Sequence, residues 1–167
     1  MKRVLSLAFC LAVFPACAFA AGSVFSAGLG FDTFNYRGQD SYLSVGLAYQ
    51  RRLDEGLALE LGAEFGLTAE PKFFVPFSLG LDFDFKTWEK LEFYAGFGFG
   101  PAFIICTESG PNKMSFYLGP YVQTGLRAQV HRYMKLFLQL RQDLLIGAPL
   151  WINTASRLQG GVNFSLP

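Results

Sequence analysis

Leu57-Ala58-Leu59-Glu60-Leu61-Gly62-Ala63-Glu64-Phe65-Gly66-Leu67 alternates, position by position, between one set of apolar side chains and a second set of small or acidic ones. Period two over this length belongs to an extended strand, whose successive side chains point to opposite faces. A helix would repeat every three or four residues. The pattern continues on either side. Leu43, Val45, Leu47 and Tyr49 alternate with Ser44, Gly46, Ala48 and Gln50. Val75, Phe77, Leu79, Leu81, Phe83 and Phe85 alternate with Pro76, Ser78, Gly80, Asp82 and Asp84. Phe93, Ala95, Phe97 and Phe99 alternate with Tyr94, Gly96, Gly98 and Gly100, and the same period runs from Phe116 to Val130, weakened at Thr124 and Ala128. Phe25 to Asp32, Leu136 to Asp143 (with Phe137 on the polar side) and Arg157 to Leu166 complete the set. The expectation is eight antiparallel strands of about 9–11 residues each, closed up-and-down into an all-β barrel.

Which face points outward decides the class. Soluble eight-stranded barrels hide the apolar face, whereas membrane barrels show it to lipid. Here the apolar set is bulky Leu and Phe on nearly every strand, more than an eight-stranded interior holds, and the other set is mostly Gly, Ser and Ala. Small residues suit a narrow lumen and large ones suit hydrocarbon. Composition agrees: charged residues are 16% of the chain, with nineteen Phe and eighteen Gly. Soluble proteins carry about 25% charged residues. The hydrophobicity is interleaved, since past the leader no stretch reaches the roughly 20 apolar residues of a membrane helix. The reading is a transmembrane β-barrel.

Residues 1–20 read as a cleaved secretory signal peptide. Lys2 and Arg3 precede the apolar run Val4 to Phe14, and Ala18-Phe19-Ala20 supplies a small-x-small cleavage site. Lipidation at Cys17 is the competing reading, to which Phe14-Pro15-Ala16 is poorly suited. Residues 21–167 then form one barrel domain. Cleavage removes two of 14 basic residues, so 12 face 13 acidic ones and the mature chain is near neutral. That gives no support for nucleic-acid binding. Cys106 is the sole remaining cysteine, which excludes an internal disulfide and a cysteine-based metal site; no cofactor or metal is expected.

Short connections at Asp54-Glu55-Gly56, Lys86 to Lys90 and His131 to Tyr133 alternate with longer ones at Tyr36 to Asp40, Ile104 to Lys113 and Gly147 to Asn153, Glu70-Pro71-Lys72 being a short exception. Outer-membrane barrels alternate periplasmic turns and extracellular loops in this way. Both termini would lie in the periplasm. Pro76, Pro101 and Pro120 cannot donate to a ladder and predict bulges or fraying near the extracellular rim. Aromatics near strand ends (Tyr42, Tyr49, Phe73, Phe85, Trp88, Phe103 and Tyr133) are expected at the two membrane interfaces.

The last strand carries the most specific pattern. Gln159, Gly161, Phe164 and Leu166 match the polar, Gly, aromatic, apolar spacing of the C-terminal recognition strand of outer-membrane barrels, although the chain continues to Pro167 where many end on the aromatic. In layout the chain resembles the small eight-stranded barrels of the OmpA transmembrane-domain, OmpX and OmpW type. The resemblance implies residence in a bacterial outer membrane, contact with its lipids, and insertion by the barrel-assembly machinery. It implies a structural or surface-interaction role, with a host or extracellular ligand reached through the loops. A narrow OmpW-like channel for small or hydrophobic solutes is the alternative, and a lipid-modifying barrel enzyme a lesser one.

Candidate residues lie on the lumen phase. Glu60, Glu64, Asp82, Arg127, Arg141 and Arg157, together with Asp84, Glu92 and Asp143, point inward. Buried charges are costly unless paired, so a salt-bridged plug is expected, with Arg127 on Glu60 or Asp82 and Arg141 or Arg157 on Glu64. Tyr117 and Tyr121 should lie over the inward glycine row Gly96, Gly98 and Gly100 of the neighbouring strand. Gly96–Gly100 is not a phosphate loop, because no helix follows. Catalysis is not expected: His131, the one histidine, falls on a turn beside Arg132 at the wrong end for the outer leaflet and has no nearby Ser. Cys106 is expected in a loop as a semi-buried thiol, and Trp151 and Ile152 make the last loop apolar.

Overall fold

The structure, a computed structural model, describes residues 22–35, 39–68, 72–106, 113–148 and 151–165. The predicted signal peptide, Cys17 and Leu166 lie outside them. Eight strands follow in chain order: β1 Ser23–Asn35, β2 Gln39–Asp54, β3 Leu57–Leu67, β4 Lys72–Trp88, β5 Leu91–Cys106, β6 Lys113–His131, β7 Met134–Gly147 and β8 Ile152–Ser165. Each pairs antiparallel with its neighbours in sequence, and β8 closes on β1. Among the described residues every strand has a partner on both sides, the condition for strands to survive in hydrocarbon.

Register fixes the shape. The paired positions Val24, Gln50, Glu60, Gly80, Gly98, Tyr121, Asp143 and Ala155 lead once around the barrel and return to β1 at Phe34. The shear is therefore 34 − 24 = 10 residues. With eight strands this corresponds to a tilt of about 40°. Such a barrel is narrow enough for side chains to fill.

The strands are longer than the sequence pattern suggests, 11 to 19 residues rather than about 9–11. They run past the apolar belt, and the connections shrink to match. β1 reaches Asn35 and β2 begins at Gln39; β5 runs to Cys106 and β6 begins at Lys113. Cys106 thus ends a strand instead of sitting in a loop. The residues beyond the regular alternation, Gln39-Asp40 of β2 and Ile104-Ile105-Cys106 of β5 among them, still pair with a neighbouring strand although they do not alternate between polar and apolar, which is why the pattern of hydrophobicity alone cut the strands short.

At the opposite rim, here called the turn rim, the hairpin turns are two residues each: Glu55-Gly56, Glu89-Lys90 and Arg132-Tyr133. Every one is preceded by a register shift, at Arg52/Asp54, Lys86/Trp88 and Gln129/His131. An extra residue there increases local twist, which a small closed barrel requires. Gly56, at φ 79°, occupies the left-handed region that a side chain disfavours. The turns also stitch sideways, since the carbonyls of Gly56, Lys90 and Tyr133 accept the N–H groups of Asp84, Gln129 and Ser165.

The three prolines cause neither a bulge nor fraying. Register is the same on both sides of each, and the strands continue through them. Instead one ladder opens by two pairs: β3–β4 beside Pro76, β4–β5 beside Pro101 and β6–β7 beside Pro120. The ladder on the other side of each strand is continuous there. Pro removes one donor, and that donor would have faced one neighbour only. Gly100 and Gly119, each directly before a proline and paired with one another, let the carbonyls of Phe77 and Leu144 approach where a Cβ would otherwise stand.

Side chains sort by parity. Leu29, Leu43, Leu47, Leu79, Phe97, Val122, Leu138 and Leu158 are exposed on the outer wall, while their polar neighbours fill the lumen. Phe85, Trp88 and Tyr133 are exposed near the turn rim. Tyr42 departs from the interface expectation: it points inward and is fully buried. Tyr49, though on the outward phase, is buried, with its hydroxyl 2.9 Å from Ser23 Oγ and its ring against Phe25.

Candidate functional site

The lumen is built in layers, because inward positions on tilted strands fall into rows that wind around the axis. Nearest the turn rim, Lys135 Nζ lies 2.6 Å from Glu92 Oε2. Above it, Arg127 Nη2 lies 3.0 Å from Asp82 and its Nη1 bonds Asp84, with the guanidinium over the Tyr94 ring at 3.8 Å. Glu60 is drawn in through amides instead. Gln50 Nε2 donates to Glu60 (2.7 Å) and to Asp82 (2.8 Å), and Gln123 Nε2 donates to Asp82 (2.7 Å) and Glu60 (3.2 Å). Carboxylates outnumber guanidiniums here, and these neutral donors satisfy the excess oxygens.

The second ionic layer lies toward the loop rim. Arg157 Nη1 is 2.5 Å from Glu64, and its Nη2 and Nε are 2.7 and 3.1 Å from Asp143. Arg141 Nη2 reaches Asp143 at 2.8 Å and its Nη1 is 3.9 Å from Glu64, while the guanidinium stacks on Tyr121 at 3.5 Å. Asp32 accepts from Ser44 at 3.1 Å in the same region. The arginines are buried, so their attraction to carboxylates is weakly screened and their loss would strand charge.

Between and around these layers, large side chains lie over glycines. Tyr121 covers Gly98 and Gly80, and Tyr94 covers Gly125. Tyr117 rests against Gly147 of β7 instead of the predicted β5 row. Gln159 lies over Gly46 and Gly28, and Phe137 over Gly161. The lumen phase of the C-terminal strand therefore has a packing use of its own, while Phe164 projects outward near the turn rim.

At the loop-rim end the lumen is closed by an apolar cap. Phe34, Tyr42, Phe74 and Tyr117 are all 0% exposed and pack with Ala102, Ile104, Leu145 and Ala155, with Cys106 against the cluster. Ring centroids of Phe34 and Phe74 are 5.6 Å apart, and those of Phe34 and Tyr117 5.8 Å. At the turn-rim end a cavity of about 40 Å³ opens among Gln50, Arg127, Lys135 and Asn163, and one of about 20 Å³ lies between the two ionic layers, among Glu60, Glu64, Arg127 and Arg141. Each is room for a water molecule or two.

All six predicted lumen charges are thus in two connected clusters, Glu60, Asp82 and Arg127 in one, Glu64, Arg141 and Arg157 in the other. Sequence reading missed the cap and the roles of Asp32, Gln50, Gln123 and Lys135. Parity could have found Phe34 and Phe74, which sit in the polar phase of apolar strands. His131 is exposed on the turn rim, its Nδ1 accepting weakly from the Tyr133 N–H at 3.5 Å. Trp151 is exposed at the loop rim. Among the described residues no group of three or more His, Cys, Asp or Glu side chains is placed to hold a metal ion.

No family model matches the chain, and no curated protein matches its sequence. Solved structures match its fold. Neisserial surface protein A superposes with a TM-score of 0.80 at 15% identity, over 87% of this chain and 98% of its own. Ail, the attachment invasion locus protein of Yersinia pestis, in complex with the heparin analogue sucrose octasulfate, gives 0.63 at 12% identity, covering 87% and 99%. The outer membrane protein OprG of Pseudomonas aeruginosa gives 0.61 at 12% identity, covering 86% and 95%. The chain has the architecture of the small eight-stranded outer-membrane barrels.

Proposed function

We propose that this chain is an integral protein of a bacterial outer membrane with a closed lumen, serving a structural or surface-interaction role. In this reading residues 1–20 are removed on export, both termini and the turn rim face the periplasm, and the loop rim faces the outside. Gln159, Gly161, Phe164 and Leu166 are read by the insertion machinery. The observation that carries it is the lumen itself. Two buried ionic layers are stacked beneath an apolar cap whose four largest side chains are 0% exposed. A path for solute would need the cap displaced and at least one arginine layer broken. What remains for interaction is the outer wall and the loop rim. The fold is shared with Ail, whose complex with a heparin analogue makes an anionic glycan a reasonable first ligand to try; fold alone does not carry a ligand across.

The test is single-channel recording of the refolded chain in a planar bilayer, after its heat-dependent gel shift shows a folded barrel. The closed-lumen reading expects no discrete conductance from the native chain. Reproducible small openings, altered by Arg127→Ala or Glu64→Ala, would replace it with the narrow-channel reading. A chain with neither gel shift nor β-rich spectrum would overturn the membrane reading.

A further inference from the structure

The lower ionic layer does not balance. Glu60 of β3 and Asp82 and Asp84 of β4 share one guanidinium, that of Arg127 on β6. Lys135 of β7 is held by Glu92 of β5, and Arg52 of β2 stands exposed in the turn-rim mouth. The other polar groups at this level are uncharged: Gln50, Tyr94 and Gln123, with Ser26 from β1 and Asn163 from β8.

Hydrogen bonding satisfies the carboxylate oxygens without neutralising them. Gln50 Nε2 divides its two N–H groups between Glu60 Oε2 (2.7 Å) and Asp82 Oδ2 (2.8 Å). Gln123 Nε2 does the same between Asp82 Oδ1 (2.7 Å) and Glu60 Oε1 (3.2 Å). The two amides thus clamp the carboxyl groups side by side, within hydrogen-bond reach of one another. Glu60 is 5% exposed and Asp82 0%. Two ionised carboxylates so placed, with little water to screen them, repel strongly. One proton between them turns the repulsion into a charge-assisted hydrogen bond.

A separate observation supplies the route. Asn163 is 3% exposed, and its Oδ1 has no hydrogen-bond partner among the described residues; nor has Arg127 Nε. Both residues line the cavity of about 40 Å³ at the turn rim and the one of about 20 Å³ that Glu60 borders. An open donor and an open acceptor on spaces of that size fit a water molecule, accepting from Arg127 and donating to Asn163. Such water joins the turn-rim mouth to the carboxyl pair, while the apolar cap closes the other end.

We infer that Glu60 and Asp82 bind one proton between them, taken up from the turn-rim side through this water. The pair then titrates as a unit, not as two independent acids. The inference rests on the closed-lumen reading, because a layer flooded by bulk water would need no proton.

The experiment is infrared spectroscopy of the refolded barrel in detergent, read at the carbonyl stretch of protonated carboxyl groups, which ionised carboxylates lack. The native chain should show a band that Glu60→Gln and Asp82→Asn each remove, since the carboxyl left behind ionises against Arg127. Glu55→Gln, on an exposed turn, should leave it. Each variant is first required to keep its gel shift. Carbon-13 labelling of the native chain at Glu carboxyls alone, or at Asp carboxyls alone, needs no substitution and should move part of the band in either case. In heavy water the band should shift without unfolding. A band that shifts only on unfolding would overturn the water route. A band lost in one variant and kept in the other would place the proton on a single carboxyl and overturn the sharing. No band in a barrel silent in the bilayer would overturn this inference alone; no band in a barrel that conducts would overturn it together with the closed lumen.

Discussion

Arg157→Met takes the guanidinium out of the upper ionic layer while keeping much of the side-chain volume. Arg157 donates one hydrogen bond to Glu64 and one to Asp143, its Nη2 adds an ion-pair contact to Asp143 at 2.7 Å, and it is buried. Hydrogen bonds to charged groups contribute about 1.5–3 kcal/mol each. These contacts share partners, so they do not add in full. The larger effect is on what stays behind: Glu64, Asp143 and Asp32 would face Arg141 alone, with Arg141 3.9 Å from Glu64. Leaving one side of a buried pair uncompensated costs about 3–5 kcal/mol, and that is the expected loss. Urea-dependent folding into phospholipid vesicles, read by the gel shift and by tryptophan fluorescence, gives the measurement. Glu64→Gln added to Arg157→Met should recover about 1–3 kcal/mol, because it removes one stranded charge. A loss below about 1 kcal/mol for the single variant would refute the reasoning, since it would mean that water reaches and solvates the layer.

Three more outcomes are expected. Leu79→Arg, in the middle of the outer wall, should cost about 2–4 kcal/mol in vesicle folding, and Phe85→Arg, near the turn rim, about 0–1; equal costs would put the outward face out of lipid. Gly119→Ala should destabilise by about 1–3 kcal/mol, because its Cβ would meet the Leu144 carbonyl oxygen and backbone cannot step aside. Gly160→Ala, whose nearest contact would be 3.6 Å away, should stay within about 0.5 kcal/mol by the same titration. Phe74→Ala should loosen the cap and cost about 3–5 kcal/mol, yet leave bilayer current silent while the arginine layers hold.

The alternation at Leu57–Leu67 and its counterparts settled strand number, the direction of each face and the residues that enter the lumen. Those are local properties: parity along one strand is written in its own side chains. Strand length was misjudged because the loop-rim ends of β5 (Ile104-Ile105-Cys106) and β6 (Lys113-Met114-Ser115) do not carry the clean apolar–polar alternation, and only pairing with a neighbour holds them in the sheet. The prolines were misjudged for a related reason. Whether a missing donor breaks a strand depends on which neighbour it would have faced, and a closed barrel keeps the other ladder whole.

The lumen divides in the same way. That Glu60, Glu64, Asp82, Arg127, Arg141 and Arg157 would be buried together followed from phase and from the cost of unpaired charge. Phase and height along the strand narrowed Arg127 to Glu60 or Asp82 and Glu64 to Arg141 or Arg157; that Arg127 takes Asp82, that Arg157 is the nearer to Glu64 and that Asp143 joins them waited for the shear of 10, which is a sum over eight registers. Phe34, Tyr42, Phe74 and Tyr117 come from four different strands, and parity points each inward, but nothing within one strand shows that the four meet at one height. Sequence by itself determined the period, the two faces and the pool of buried charge; the tertiary structure decided the pairings and the cap, since closure fixes the relative height of strands that no local pattern can relate.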